Sequence, residues 1–294
     1  MSRLPTIRPP GPISRLADAA FTCGRILRSG LYGDLGWRVV WTYARLKFLS
    51  MFDAETPGAD PQQTQVAGWR VRYWGTRFLA TLFGTKFVKL EYLFDTNAPR
   101  PRIIDCGANI GMAILFFKTL YPDAEIVAFE PDPRTFKVLA GNVRDNNLAA
   151  VTLHNAAVGA TDGAAPLHVQ PDIPGSALSS LVVVKDAQTV AEAVPVVRLS
   201  RYIDAPVDFL KLDVEGSEMD VLRELQAAGK LTMVREMVIE YHHHLRADED
   251  VLAELLQILE RARFGYQFQV VDDTSFGRGA YQSVMVHAYG KGAC

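Results

Sequence analysis

Ile103-Ile104-Asp105-Cys106-Gly107-Ala108-Asn109-Ile110-Gly111 runs from a short apolar stretch into a turn bounded by two glycines. Residues 112–121 then carry a helical pattern, so the segment predicts strand, loop and helix. The same alternation recurs downstream, with strands at 125–130 and 151–156 and a helix at 133–146. This β-α-β-α-β succession predicts an α/β fold around a parallel sheet. Further on, 207–213 and 233–241 are predicted strands, 217–228 and 250–264 helices, and 266–271 and 282–288 closing strands, for a sheet of about seven strands with helices on both faces. Between residues 158 and 200 the pattern breaks into short strands near 167–170, 181–185 and 194–199, separated by glycine, proline and serine. It is an excursion from the sheet.

Upstream, prolines 5, 9, 10 and 12 predict an unstructured start, followed by helices over 13–28 and 35–52. Residues 53–65 read as a linker. The organisation expected is an N-terminal helical extension with its linker over 1–65 and a Rossmann-like domain over 66–294. The second helix repeats Trp37, Val40, Trp41, Ala44 and Phe48 at helical spacing, with Arg38, Arg45 and Lys47 alongside. Packing on the main domain is the first expectation for that stripe, and peripheral contact with a membrane the alternative.

The composition, 49% hydrophobic and 22% charged over 294 residues, is that of a globular protein. A net charge of −2 gives no overall basic field for nucleic acid. The sign is uneven, because residues 1–52 hold eight Lys and Arg against Asp18 and Asp34. Three cysteines, Cys23, Cys106 and Cys294, are no disulfide framework and point to a reducing, cytoplasmic setting. No run of about 18 apolar residues predicts a membrane span. Nothing here fixes the oligomeric state, and a homo-oligomer stays open.

In an open parallel sheet the ligand sits beyond the carboxyl ends of the strands, and the first strand-helix turn forms most of its cradle. Gly107 lets the chain turn away from the strand and Gly111 lets the helix pack close. A dinucleotide fingerprint needs a glycine where Asn109 stands, so a nicotinamide oxidoreductase is disfavoured. Asp105 adds a carboxylate suited to an ammonium group and not to pyrophosphate. Glu130, at the end of the next strand, is suited to accept both hydroxyls of a ribose. Together they predict a nucleoside site.

Ile104 to Gly111, Phe129-Glu130-Pro131, Asn155-Ala156-Ala157-Val158-Gly159 and Lys211-Leu212-Asp213-Val214-Glu215-Gly216-Ser217-Glu218 resemble, in this order, the motifs of the FkbM family of methyltransferases. The resemblance covers about residues 90–245 and implies a class I methyltransferase fold, S-adenosyl-L-methionine as methyl donor, and O-methylation of a sugar, glycolipid or natural-product hydroxyl. By that analogy Asp105, Gly107 and Asn109 would hold the methionine part, Glu130 the ribose, and Asn155, Ala156 and Ala157 the adenine side, with Ala108, Gly111, Pro131 and Asp213 also among the cofactor-binding residues. Leu199-Ser200-Arg201 departs from the Leu-Asp-Asp common in the family. A non-catalytic scaffold that kept the fold is the alternative of another class.

Lys211, Asp213 and Glu215 alternate along a strand end and lean to one side, with Glu218 in the next helical turn. Methyl transfer to a hydroxyl needs an aimed lone pair and a proton acceptor. Asp213 or Glu215 is a candidate base and Lys211 a candidate oxyanion partner, while Glu218 reads as a helix cap. Asp213, Glu215 and Glu240 also offer oxygen ligands for magnesium. Of Glu240-Tyr241-His242-His243-His244, His242 or His243 is a candidate catalytic or acceptor-binding histidine, and alternation along the strand argues against a zinc site. Cys106 is expected in the loop for its small size.

Overall fold

The computed structural model describes residues 12–52, 60–170, 190–243, 251–270 and 282–291. The predicted strand at 181–185, the Gly175 to Ser180 stretch, His244 and Cys294 lie outside them. In chain order the strands are β1 Gln62–Val66, β2 Trp69–Tyr73, β3 Arg102–Cys106, β4 Glu125–Phe129, β5 Val151–His154, β6 Ala157–Val158, β7 Gly163–Val169, β8 Val190–Val197, β9 Val207–Leu212, β10 Val234–His243, β11 Phe264–Val270 and β12 Gln282–Gly290. The helices are α1 Pro12–Ser29, α2 Gly36–Ser50, α3 Thr76–Phe83, α4 Met112–Leu120, α5 Pro133–Asp145, α6 Glu218–Ala227 and α7 Leu252–Arg261.

Seven strands form one sheet in the order β11-β12-β10-β9-β3-β4-β5. Pairs β3–β4, β4–β5, β3–β9 and β9–β10 are parallel, and β12 enters antiparallel between β10 and β11. This is the class I methyltransferase architecture. The chain leaves β3 toward β5 on one side and returns from β9 outward on the other, so the order reverses between β3 and β9. Their carboxyl ends mark the ligand crevice.

Strand alternation sends successive side chains to opposite faces, which is why the sheet carries two cores. Ile103, Ile126, Phe209 and Val238 point to the face covered by α2, α3, α4 and α5. Ile104, Leu210, Met237 and Ile239 point to the face covered by α6 and α7. The excursion folds as its own sheet, β6-β8-β7, around Leu167, Val169, Val194 and Val196.

The N-terminal helices join the first core through Ile26, Tyr32, Val39 and Leu46. Tyr32 donates its hydroxyl to Phe87 O at 2.8 Å, and Thr42 Oγ1 accepts from Ala67 N at 3.0 Å. Of the stripe predicted to pack on the domain, Val40 packs on the first core, but Trp37 and Trp41 are 69% and 71% exposed, and Gly36, Val39, Thr42 and Leu46 are the buried residues of α2. The reading as a linker runs too long, because β1 begins at Gln62. Among the described residues no helix is long and apolar enough to cross a membrane.

Candidate active site

At the carboxyl end of β3 the chain turns at Gly107, φ +84°, and a Cβ there would lie 1.8 Å from the backbone oxygen of Asp213. Glycine is required because β9 closes on β3 at this point. Gly111, φ +90°, precedes α4, and its missing Cβ would lie 2.8 Å from Leu139 Cδ1. Asn109 takes the left-handed conformation that asparagine tolerates, φ +50°, and its Oδ1 accepts from Ile110 N at 2.8 Å.

Glu130 ties this loop to the end of β4. Its Oε2 accepts from Asn109 N at 2.9 Å and its Oε1 from Asp132 N at 3.0 Å. Burial pushes its carboxyl up to about 8 despite those two donors. Asn155 Nδ2 donates to the carbonyls of Glu130 and Pro131 at 2.9 and 3.0 Å, holding the strand end in place.

Register pairs Asp105 with Lys211 across β3 and β9. Lys211 Nζ lies 3.2 Å from Asp105 Oδ1 and 3.3 Å from Asp213 Oδ2, and it donates to Gly107 O at 2.7 Å and Cys106 O at 3.2 Å. An ammonium has three N–H groups, so these four acceptors saturate it. Burial alone would raise Asp213, but Lys211, His242 and Lys86 outweigh it and hold the carboxyl below its ordinary range. Tyr92 donates its hydroxyl toward Asp213 Oδ2 at 3.4 Å.

The loop after β9 then places Glu215 at φ +53°, a left-handed conformation that costs roughly 1–3 kcal/mol in a side-chain-bearing residue. Glu218 offsets this strain: its carboxylate accepts from Val214 N at 3.1 Å and Gly216 N at 3.0 Å. His242, on β10, is buried between both acids, with Nδ1 at 2.9 Å from Glu218 Oε1 and Nε2 at 3.1 Å from Glu215 Oε2. Burial opposes the imidazolium, yet Glu218 and Glu215 more than offset it and keep His242 protonated well above its ordinary range. Burial lifts Glu215 to about 7, even with His242 pulling it down.

Several of these groups border one cleft that is open to solvent. Glu130, Asp213 and Glu215 stand on its wall, and Phe129, Ala156, Ala157 and Leu167 form an apolar end.

A family model described as the methyltransferase FkbM domain matches residues 105–268. The chain belongs to the FkbM methyltransferase family. It is 36% identical over 163 residues to Methyltransferase 1 of Beauveria bassiana, covering 48% of this chain and 65% of that protein, just under two thirds of its length. It is 31% identical over 206 residues to methyltransferase sdnD of Sordaria araneosa, covering 58% and 78%. It is 29% identical over 204 residues to 31-O-demethyl-FK506 methyltransferase FkbM of Streptomyces tacrolimicus, covering 59% and 74%.

In this FkbM-family chain Gly107, Ala108, Asn109, Glu130, Pro131, Ala156, Ala157, Lys211, Asp213 and Glu215 converge on the cleft. Asp105, predicted at its mouth, is instead fully buried against Lys211, because the parallel register puts the cation directly beside it. Gly111, Asn155 and His242 sit behind the lining as supports. His243 points away from His242, as alternation along a strand requires, and its Nδ1 is 3.4 Å from Tyr241 Oη.

The magnesium reading named Asp213, Glu215 and Glu240. Glu240 Oε1 accepts from Ser283 Oγ at 2.7 Å. Asp213, Glu215 and His242 bring ligand atoms within 4.8 Å of one another.

Sequence reasoning missed the third wall, formed by Phe78 and Leu82 of α3 and by Lys86 in the π-helical turn Gly84–Val88. Lys86 Nζ donates to Tyr92 Oη at 2.9 Å and to Glu91 Oε2 at 3.2 Å. The available signal was a lone lysine inside the apolar run Leu82-Phe83-Gly84-Thr85-Lys86-Phe87-Val88.

Proposed function

We propose that this chain transfers the methyl group of S-adenosyl-L-methionine to a hydroxyl oxygen of a small-molecule or glycan acceptor, with Glu215 as the general base. One observation carries the assignment of the base: Glu215 stands on the cleft wall with its carboxyl lifted to about 7, paired to a histidine held as a cation. A base whose pKa lies near the working pH combines availability with driving force. Asp213, held low by Lys211, is the poorer proton acceptor and the better fixed charge.

The wall chemistry suits this donor. Carboxylates at one end match a sulfonium, an ammonium and the hydroxyls of a ribose, and the apolar end at Ala156, Ala157 and Leu167 matches a flat purine. Each oxygen of Glu130 uses one lone pair on a backbone N–H and keeps another for a ribose hydroxyl. Asp213 and Glu215 would face the positive end. Buried Asp105, its Oδ1 3.2 Å from Lys211 Nζ, holds that lysine beneath the turn.

When bound, S-adenosyl-L-methionine supplies an electrophilic methyl carbon, and the electrons of the breaking C–S bond return to sulfur as the acceptor oxygen bonds the methyl. Glu215 takes the hydroxyl proton. His242 and Glu218 keep its carboxylate aimed, and Phe78 and Leu82 line the side from which an acceptor would approach. The Streptomyces relative, a 31-O-demethyl-FK506 methyltransferase, supports a hydroxyl acceptor.

The test is calorimetric titration with S-adenosylhomocysteine, followed by labelled donor offered with fractionated cell extract. Binding and transfer of label to a hydroxyl are the expected results. An intact protein that binds no S-adenosylhomocysteine, or label transfer undiminished in Glu215→Gln, would overturn the assignment.

A further inference from the structure

Helix α2 is apolar on two opposite faces, and only one of them is used. At about 100° per residue, Val39, Thr42 and Leu46 share the inner face. They are buried against the domain, and the inner side is pinned by Thr42 to Ala67 and by Arg45 to Thr64 and Gln65. Trp37, Trp41 and Phe48 lie within about 40° of one another on the opposite side. They are 69%, 71% and 57% exposed. Phe52 extends the stripe, its ring 5.2 Å from that of Phe48, and Met51 beside it is exposed as well. Phe21 of α1 is also exposed.

Exposed patches of this kind mark interaction surfaces, and the surrounding charge says which kind. From Phe21 to Phe52 the chain carries Arg25, Arg28, Arg38, Arg45 and Lys47 against the single acid Asp34. Arg25, Arg28, Arg38 and Lys47 are exposed. Tryptophans at the centre of an apolar stripe flanked by basic residues form the pattern of a helix lying in the plane of a bilayer interface, where indole sits at headgroup depth and cations meet anionic lipid. We propose that the outer face of α2 docks the protein on an anionic membrane surface. Because α2 packs directly on α3, whose Phe78 and Leu82 line the cleft, docking would set the cleft one helix away from the lipid. That arrangement suits an acceptor drawn from the bilayer.

The experiment is co-flotation of the full chain with vesicles of phosphatidylcholine, with and without roughly one third phosphatidylserine. The wild type floats with the anionic vesicles, its binding weakens as salt rises, and its tryptophan emission shifts to the blue. Trp37→Ser/Trp41→Ser binds at least about tenfold more weakly, since two exposed indoles no longer leave water. S-adenosylhomocysteine protection against heat, unchanged in the variant, shows that it is folded. Failure of the wild type to float with either vesicle overturns the proposal, as does equal flotation of the variant. A concentration-dependent dimer abolished by the double substitution would assign the face to a second copy instead.

Discussion

Nε2 of His242 lies 3.1 Å from Oε2 of Glu215, and the pair is completed behind by Glu218 at 2.9 Å from Nδ1. A protonated imidazole between two carboxylates orients the acid facing the cleft and keeps it ionisable near neutrality.

Glu215→Gln should lower kcat by about 10²–10⁴-fold, the usual contribution of a positioned base. S-adenosylhomocysteine affinity should stay within a few-fold of the parent. In the wild type kcat/KM should rise with pH through about 7, as the carboxyl loses its proton, and level off above it. Initial rates across pH check this; an unshifted acid limb in the variant would assign the limb to another group.

His242→Gln removes the cation, so Glu215 holds its proton more tightly and the acid limb should move to higher pH. The variant should also lose roughly 3–5 kcal/mol of stability, the penalty for breaking a buried pair. Since the folded-state pKa of His242 is raised, the contribution is complete below about 6.5 and is lost as pH rises through the raised value. Urea midpoints should therefore differ most at acidic pH and converge in alkali.

Glu130→Ala should weaken S-adenosylhomocysteine about tenfold or more by calorimetry, because it removes acceptors for the ribose and frees the Asn109 and Asp132 amides from their partner. Asn155→Ala, which only loosens the strand end, should have the smaller effect. Equal losses in the two variants would mean that Glu130 acts through the backbone alone.

Gly107→Ala should destabilise the fold by roughly 3–5 kcal/mol, since the new methyl has no space against Asp213 O and the backbone is left-handed. A cofactor-free melting curve is the readout. A near-wild-type Tm would show that β3 and β9 can separate at their ends.

The sequence by itself determined the elements and their order. Apolar runs of four to eight residues with helical patterns between them leave few solutions other than a parallel sheet, and the glycines at 107 and 111 announce backbone that a side chain cannot follow. It also brought Glu130, Asp213 and Glu215 into consideration, since Glu130 and Asp213 end predicted strands and Glu215 lies two residues past the second. What it left undecided was every question of partnership. Asp105 and Lys211 stand 106 positions apart in number, and only strand register shows that the cation sits beside the carboxylate and withdraws it from the cleft. Whether His242 is a base, a ligand or a support depends on Glu218 and Glu215 converging from another loop. Which side of α2 is covered depends on where the domain lies, because both faces carry apolar residues. Local pattern records which residues prefer burial or a turn; charge state and exposure are set by neighbours distant in sequence, and those come only with the tertiary structure.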